Sequence, residues 1–174
     1  MKTVFKNDFL TAQVDDSGMF TFDRNATQHG SVVVPIDSLG RIMLIREKRA
    51  GVPVPVIGVV KGAADDMHES YSAVARRELR EEIGVTCGEL HISQAEPYAF
   101  PGMTQTRGRV CFAFNCVQTH AQELDHGEDI EHYGTFTMPE IEKMITRGVI
   151  NDAESISAIL IAKLTYSILN DHDS

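Results

Sequence analysis

The sequence ESYSAVARRELREEIGV, residues 69–85, decides the fold. Ser70 suits the N-cap of a helix and Gly84 suits its end, because serine caps free N–H groups and glycine accepts the left-handed turn after a helix. Glu81 and Glu82 lie three and four residues after Glu78, so three carboxylates crowd one helix face. Like charges so close together cost stability unless a cation lies among them, and oxygen ligands suit Mg²⁺. The stretch therefore predicts a metal-binding helix of a phosphate-processing enzyme.

The same residues resemble the Nudix box, usually written G-x5-E-x7-R-E-U-x-E-E-x-G-U with U an aliphatic residue. Glu69, seven intervening residues and the run RELREEIGV at residues 77–85 match every fixed position after the first glycine. A match of this length in register is far rarer than an ordinary charged helix. On this resemblance the chain is identified as a member of the Nudix hydrolase family, which cleaves nucleoside diphosphates linked to another group.

One position departs from the family pattern. Counting back from Glu69 places Ala63 at the first glycine of the box, whereas Gly62 lies one residue too early. Either the loop of residues 62–68 has gained a residue, or alanine replaces glycine. The departure affects the loop geometry and the backbone carbonyl that often joins the metal shell in this family, but not the carboxylates.

The composition fits one globular domain with a short N-terminal appendage. The chain has 174 residues, of which 43% are hydrophobic and 24% are charged, as in ordinary globular proteins. Its formal net charge of −9 argues against nucleic acid or an anionic membrane surface as a partner. A phosphorylated small molecule remains compatible, because bound Mg²⁺ can invert the local field.

The cysteines and the first residues bear on location. The three cysteines, Cys87, Cys111 and Cys116, show no metal-ligand spacing, and Cys111 and Cys116 lie in an apolar run that favours buried free thiols. Neither a signal-peptide pattern at residues 1–14 nor an apolar run of membrane length is evident. We therefore expect a reducing cytoplasm and no membrane partner.

Periodicity and turn residues predict the order of elements. Besides the box helix, strands are expected at residues 3–5, 9–14, 19–22, 31–36, 41–46, 89–95, 109–118 and 131–137, an extended segment at 52–60, and helices at 139–147 and 153–169. Strands around two or three helices imply an α/β fold with a mixed sheet between helices, an α/β/α sandwich, as the Nudix resemblance also implies.

The domain organisation follows from this order. We expect residues 1–28 to form an N-terminal β-rich extension and residues 29–174 to form the Nudix domain. In the related ADP-sugar hydrolases such an extension helps to build a homodimer, so a homodimer is the expected assembly.

Segments outside the box resemble ADP-ribose pyrophosphatases and ADP-compound hydrolases. They are the paired strands at residues 34–36 and 44–47, the pair Lys61-Gly62, Pro101, and the acidic loop of residues 127–131. Each is weak alone, but their order and spacing favour this branch. One departure is that residues 55–60 include no acidic residue, whereas ADP-ribose enzymes often have a glutamate shortly before the box glycine.

The resemblance implies Mg²⁺-dependent hydrolysis of a P–O–P bond, in ADP-ribose first and in NADH or dinucleoside polyphosphates as related substrates. Two or three Mg²⁺ ions are expected, with Mn²⁺ as a substitute. The expected metal ligands are Glu78 and Glu82, with Glu81 as a third carboxylate and Gly62 as a backbone ligand. Bound metal neutralises phosphate charge and lowers the pKa of water.

Three residues are candidates for the catalytic step. Glu128, on the acidic loop, is the candidate general base, and Glu81 is the alternative base. Arg77 is expected to form an ion pair that orients Glu69 or a box glutamate, with a direct phosphate contact as second choice.

Four residues are candidate substrate contacts: Arg46, Arg49, Lys61 and Pro101. Arginine can clamp a phosphate or stack on a base, and lysine can neutralise a phosphate. Each also has an ordinary interpretation, because surface arginines are common and Pro101-Gly102 can simply form a turn. Arg107 and Arg109 could face either the site or solvent.

Two other functions stay open. One is a housecleaning hydrolase for nucleoside triphosphates, which the N-terminal extension and the Glu128 loop fit less well. The other is a non-catalytic Nudix domain that senses ADP-ribose. Degenerate boxes mark such sensors, whereas the RE and EE pairs of residues 77–82 are intact.

Overall fold

The computed structural model describes residues 1–166. Within them the elements are β1 Lys2–Lys6, β2 Leu10–Val14, β3 Phe20–Arg24, β4 His29–Pro35, β5 Ile42–Glu47, β6 Val56–Gly58, β7 Val60–Ala63, α1 Tyr71–Ile83, β8 Val85–Thr86, β9 Glu89–Ile92, β10 Arg107–Phe114, β11 Val117–Gln118, β12 Ile130–Phe136, α2 Met138–Thr146 and α3 Ala153–Thr165. No helix among these residues is both long and apolar enough to span a membrane.

The central sheet is mixed, as expected from the sequence. Its strand order is β7-β4-β10-β9, in which β4 and β10 run parallel and the other neighbours run antiparallel. A second sheet of order β12-β5-β6 lies beside it, and β8 pairs with β11. The first three strands, within residues 1–28, form a separate antiparallel sheet, β1-β2-β3.

Alternating side chains along the strands build two apolar layers. In β4, Val32 and Val34 belong to the layer that includes α2 and α3, whereas Val33 between them belongs to the layer under α1. Successive strand residues point to opposite faces, so one strand supports helices on both sides. Complete burial of such side chains stabilises the fold by about 1.5–3 kcal/mol each. The predicted α/β/α sandwich is confirmed.

Helix α1 begins and ends where the sequence predicts. The Ser70 side chain accepts a hydrogen bond from the Ala73 backbone N–H at 3.2 Å. Gly84 adopts a left-handed conformation with φ of 65°, and its N–H donates to the Arg80 carbonyl. Capped in this way, α1 holds its carboxylates at fixed positions on one face.

Several boundaries differ from the sequence prediction. The strands at residues 34–36 and 44–47 are not paired with each other: they lie in different sheets, linked by an isolated bridge between Ile36 and Ile42. Residues 52–60 do not form one extended segment, because β6 and the start of β7 join separate sheets there. The last helix covers Ala153–Thr165, and residues 167–169 of its predicted range lie outside the described residues.

Candidate metal and substrate site

A cleft of about 620 Å³ opens where several chain segments meet. The first residues of β4 and β10, the end of β7 and the start of α3 form much of its wall. Arg77 and Glu78 of α1 and the loop before β12 complete it. Residues of the motif helix and of the acidic loop predicted from sequence therefore line the same cleft.

Two glutamates of α1 lie on its buried face. Glu78 is 8% exposed and Glu82 is 2% exposed, in line with Ala75 and Leu79 of the same face. Burial raises the pKa of Glu78 to about 7 and that of Glu82 to about 9, and neighbouring carboxylates add to both shifts. Burying a carboxylate without a partner costs free energy. A cation close to this face would therefore stabilise the folded protein.

Arg77 supplies part of that charge. Its guanidinium lies 3.2 Å from Glu69, 2.7 Å from Glu78 and 3.0 Å from Glu81, and it donates to the Ala63 carbonyl at 2.9 Å. The ion pair between Arg77 and Glu69 that the sequence predicts is present. Arg77 therefore ties the loop before α1 to the carboxylates of the helix.

The structure shows how the motif accommodates its missing glycine. A Cβ atom on Gly62 would overlap the Glu78 carboxylate, so this position excludes a side chain. Gly62 of β7 pairs with Ser31 of β4, and the next residue, Ala63, does carry a Cβ atom. The close contact with Glu78 thus requires a glycine at position 62, one residue before the position that the motif spacing indicates.

Glu128 reaches the cleft from the loop before β12. Its side chain accepts a hydrogen bond from the Asp125 N–H at 3.0 Å and lines the cleft together with Asp125. After burial and the charges of Arg77 and Glu81, Glu128 is a further influence on the pKa of Glu78. The candidate general base thus lines the same cleft as Glu78.

The donors fit a divalent cation. One carboxylate oxygen of Glu82, Oε2, is buried without a hydrogen-bond partner among the described residues. Within residues 1–166 no three acidic, histidine or cysteine side chains are arranged around one ion position, and Glu78 forms an ion pair with Arg77. Hard carboxylate oxygens with an unsatisfied buried member are the ligand set that Mg²⁺ prefers. Glu78 and Glu82 would hold it, with Glu81 at the rim.

The predicted substrate contacts divide into two groups. Arg49 and Lys61 line the cleft, where Arg49 pairs with Glu47 at 2.8 Å and Lys61 pairs with Asp152 at 2.7 Å. Arg46 does not line it and instead pairs with Glu131 at 2.7 Å on the surface.

Pro101 also lies away from the cleft. It lines a separate cavity of about 120 Å³ beside the N-terminal sheet, together with Met103 and Gln105. The structure therefore brings two of the four predicted substrate residues to the carboxylates.

Residues not singled out by sequence also line the cleft. Arg24, from the N-terminal sheet, lies in the same wall as Arg107, whose orientation the sequence leaves open. Among residues 1–166 neither arginine has a carboxylate partner, and the Arg107 guanidinium lies 5.8 Å from the centre of the Tyr98 ring. Arg109 turns away from the cleft to Glu96 at 2.9 Å. No local motif marks Arg24, because only the packing of β3 brings it here.

The raised pKa of Glu82 predicts a stability change with pH. The folded protein keeps this proton up to about pH 9, whereas an unfolded chain releases it near 4.5. Unfolding therefore releases a proton between these values, and stability falls as the pH rises through them. Between about pH 5 and about pH 9, the thermal unfolding midpoint of EDTA-treated protein should fall further for wild type than for Glu82→Gln. An equal loss in both would contradict this assignment.

The fold and the cleft define an α/β/α sandwich in which an acidic motif helix borders a cleft. Residues 27–159 match the NUDIX domain model, and the chain belongs to the Nudix hydrolase family. Members of this family generally use divalent metal ions such as Mg²⁺.

Solved structures include a similar protein. The crystal structure of an ADP compounds hydrolase superimposes with a TM-score of 0.74 at 20% sequence identity, covering 94% of this chain and 89% of that one. At this identity the likeness shows the fold. A comparison with curated proteins finds no match.

Proposed function

We propose that this protein hydrolyses the pyrophosphate bond of ADP-linked compounds, with Mg²⁺ as cofactor and ADP-ribose as the first substrate to consider. The observation that carries the proposal is the buried Glu82 carboxylate, unsatisfied at Oε2 and one helical turn from Glu78, which lines the cleft. If this position served only the stability of the fold, an apolar residue would stabilise it more than a buried glutamate.

The residues of the chain divide the chemical work. Glu78 and Glu82 would hold Mg²⁺, which supplies charge neutralisation of the phosphates and a more acidic water. Arg77 orients the side chains of Glu69, Glu78 and Glu81 through its ion pairs. Glu128, exposed and on the cleft wall, takes the proton from the attacking water and releases it to solvent. The products are a nucleoside monophosphate and a phosphorylated second group.

Two arginines of the cleft support an anionic substrate. Among residues 1–166, Arg24 and Arg107 have no carboxylate partner, so their charge is available to a phosphate group, whereas Arg49 and Lys61 are already paired with carboxylates. The volume is within the range of ligand clefts. The structural likeness to an ADP compounds hydrolase supports the same substrate class.

Loss of either free arginine is expected to weaken substrate binding. Arg24→Ala and Arg107→Ala should each raise KM about tenfold and leave kcat nearly unchanged, because a hydrogen bond to a charged group contributes about 1.5–3 kcal/mol. Steady-state kinetics with ADP-ribose would measure both constants. Arg147→Ala, an exposed arginine outside the cleft, is the matched control. Unchanged KM in both cleft variants would remove these residues from the binding site.

A substrate panel tests the proposed activity. The protein would be incubated with Mg²⁺ and ADP-ribose, NADH, diadenosine polyphosphates, sugar nucleotides or nucleoside triphosphates, and the products separated by chromatography. Preferential cleavage of ADP-ribose to AMP and ribose 5-phosphate is expected. Preferential release of pyrophosphate from triphosphates would contradict the proposal and indicate a housecleaning enzyme. Binding of ADP-ribose without any cleavage would also contradict it and indicate a sensor.

We also propose that the protein forms a homodimer through its N-terminal sheet. All of β1 is exposed, and large apolar side chains including Phe5, Phe9 and Met19 lie in or beside this sheet. Such a surface favours burial against another protein surface, and Arg24 links the sheet to the cleft. Light scattering after gel filtration should give about twice the monomer mass of 19.3 kDa. A mass of 19.3 kDa across the concentration range would contradict the proposal.

A further inference from the structure

Glu47 is a buried carboxylate outside the Nudix box. It is the last residue of β5 and is 7% exposed. Along β5, Ile42 and Leu44 belong to the layer with α2 and α3, whereas Met43 and Ile45 belong to the layer under α1. Because the period of a strand is two, Glu47 continues the second set and points to the side of the sheet that α1 covers.

That side is where Glu82 lies. Glu78 and Glu82 occupy the buried face of α1, and Glu47 is among the charges that act on Glu82 there. Glu47 also pairs in register with Ile130 of β12, two residues after Glu128. Strand pairing therefore places Glu47 next to the segment that follows Glu128, on the side of the sheet that α1 covers.

Glu47 has one close cationic partner, which is itself partly exposed. Its ion-pair partner is Arg49, at 2.8 Å, and the Arg49 side chain is 46% exposed. Lys61 acts on Glu47 from farther away and is itself paired with Asp152. The Glu82 Oε2 atom still has no hydrogen-bond partner among the described residues. A divalent cation bound by Glu82 would satisfy that atom.

We propose that Glu47 is a ligand of a divalent cation that it shares with Glu82, at a position additional to the carboxylates of the Nudix box. The proposal rests on the metal dependence of the function proposed above. Binding of the ion separates Glu47 from Arg49. Since Arg49 lines the cleft, its guanidinium then becomes available to a substrate phosphate, so metal binding prepares the cleft for an anionic substrate.

Metal binding by variants tests this assignment without measuring turnover. Metal-free protein would be titrated with Mn²⁺ and the free ion followed by electron paramagnetic resonance. Glu47→Gln should bind one fewer ion, or bind it at least about tenfold more weakly, as expected for a weakened metal site. Glu131→Gln is the matched control, because it removes a carboxylate that pairs with Arg46 on the surface of the neighbouring strand. Unchanged Mn²⁺ binding in Glu47→Gln would overturn the proposal.

A second variant separates metal ligation from a purely structural ion pair. If Glu47 serves only to hold Arg49, Arg49→Ala and Glu47→Gln should weaken Mn²⁺ binding alike, and that result would overturn the proposal. If Glu47 is a ligand, Arg49→Ala should strengthen Mn²⁺ binding, because the competing cation is gone. The thermal midpoint of metal-free Glu47→Gln should equal or exceed that of wild type, since one like charge is removed. Glu47-dependent Mn²⁺ binding without cleavage of any panel substrate would support this site and contradict the proposed activity alone.

Discussion

Replacement of Glu82 by glutamine is expected to lower kcat for ADP-ribose by about a thousandfold or more. Loss of a metal ligand removes several kcal/mol of transition-state charge stabilisation, and each 1.36 kcal/mol is a factor of ten. Glu78→Gln should have an effect of similar size. Stopped-time assays of AMP formation under saturating Mg²⁺ and substrate would measure it.

The fold should survive this change. Glutamine has nearly the same shape as glutamate and carries no charge. At about pH 8, metal-free Glu82→Gln should therefore unfold at the same temperature as wild type or at a higher one. Glu123→Gln, which removes an exposed partner of Arg80 instead, is the control for the loss of one charge. Near-normal turnover of Glu82→Gln or Glu78→Gln would contradict the metal assignment.

Replacement of Glu128 by glutamine is expected to lower kcat by at least about a hundredfold with little change in KM, the usual scale for loss of a general base. Glu128 is exposed on the cleft wall and makes no ion pair among residues 1–166, so it can exchange protons with water. Glu81, by contrast, is held by Arg77 at 3.0 Å.

A pair of variants decides between the two candidate bases. Glu81→Gln should reduce kcat by less than Glu128→Gln, and its loss should include weaker metal binding. Rates measured against pH would show the loss of the acidic limb in the variant that lacks the base. The reverse order, with Glu128→Gln close to normal and Glu81→Gln severely impaired, would assign the base to Glu81.

Local sequence carried the prediction of α1 because its caps are local. Ser70 and Gly84 act within one turn of the helix, so their positions in sequence suffice to set its ends. Strand partners are different, since pairing depends on contacts far apart in the chain. Residues 34–36 and 44–47 are close in sequence, yet their strands separate into two sheets because β10 pairs with β4 and β12 with β5.

The same distinction applies to the site. The motif carboxylates and Arg77 lie within one helix, so their spacing predicts that they come together. Arg24 and Glu47 have no motif, and only tertiary packing brings them to the cleft or to the face of α1. Arg46 shows the converse: strand alternation turns it away from α1, so its nearness in sequence to Arg49 does not bring it to the cleft.

The most direct test of the account is a Mg²⁺ titration of metal-free protein with ADP-ribose as substrate. AMP and ribose 5-phosphate should be absent before metal is added and should then appear in equal amounts, at a rate that saturates with Mg²⁺. If no product forms at saturating Mg²⁺, or if cleavage is equally fast with and without divalent cation, the result would contradict the claim that these carboxylates support metal-dependent pyrophosphate hydrolysis.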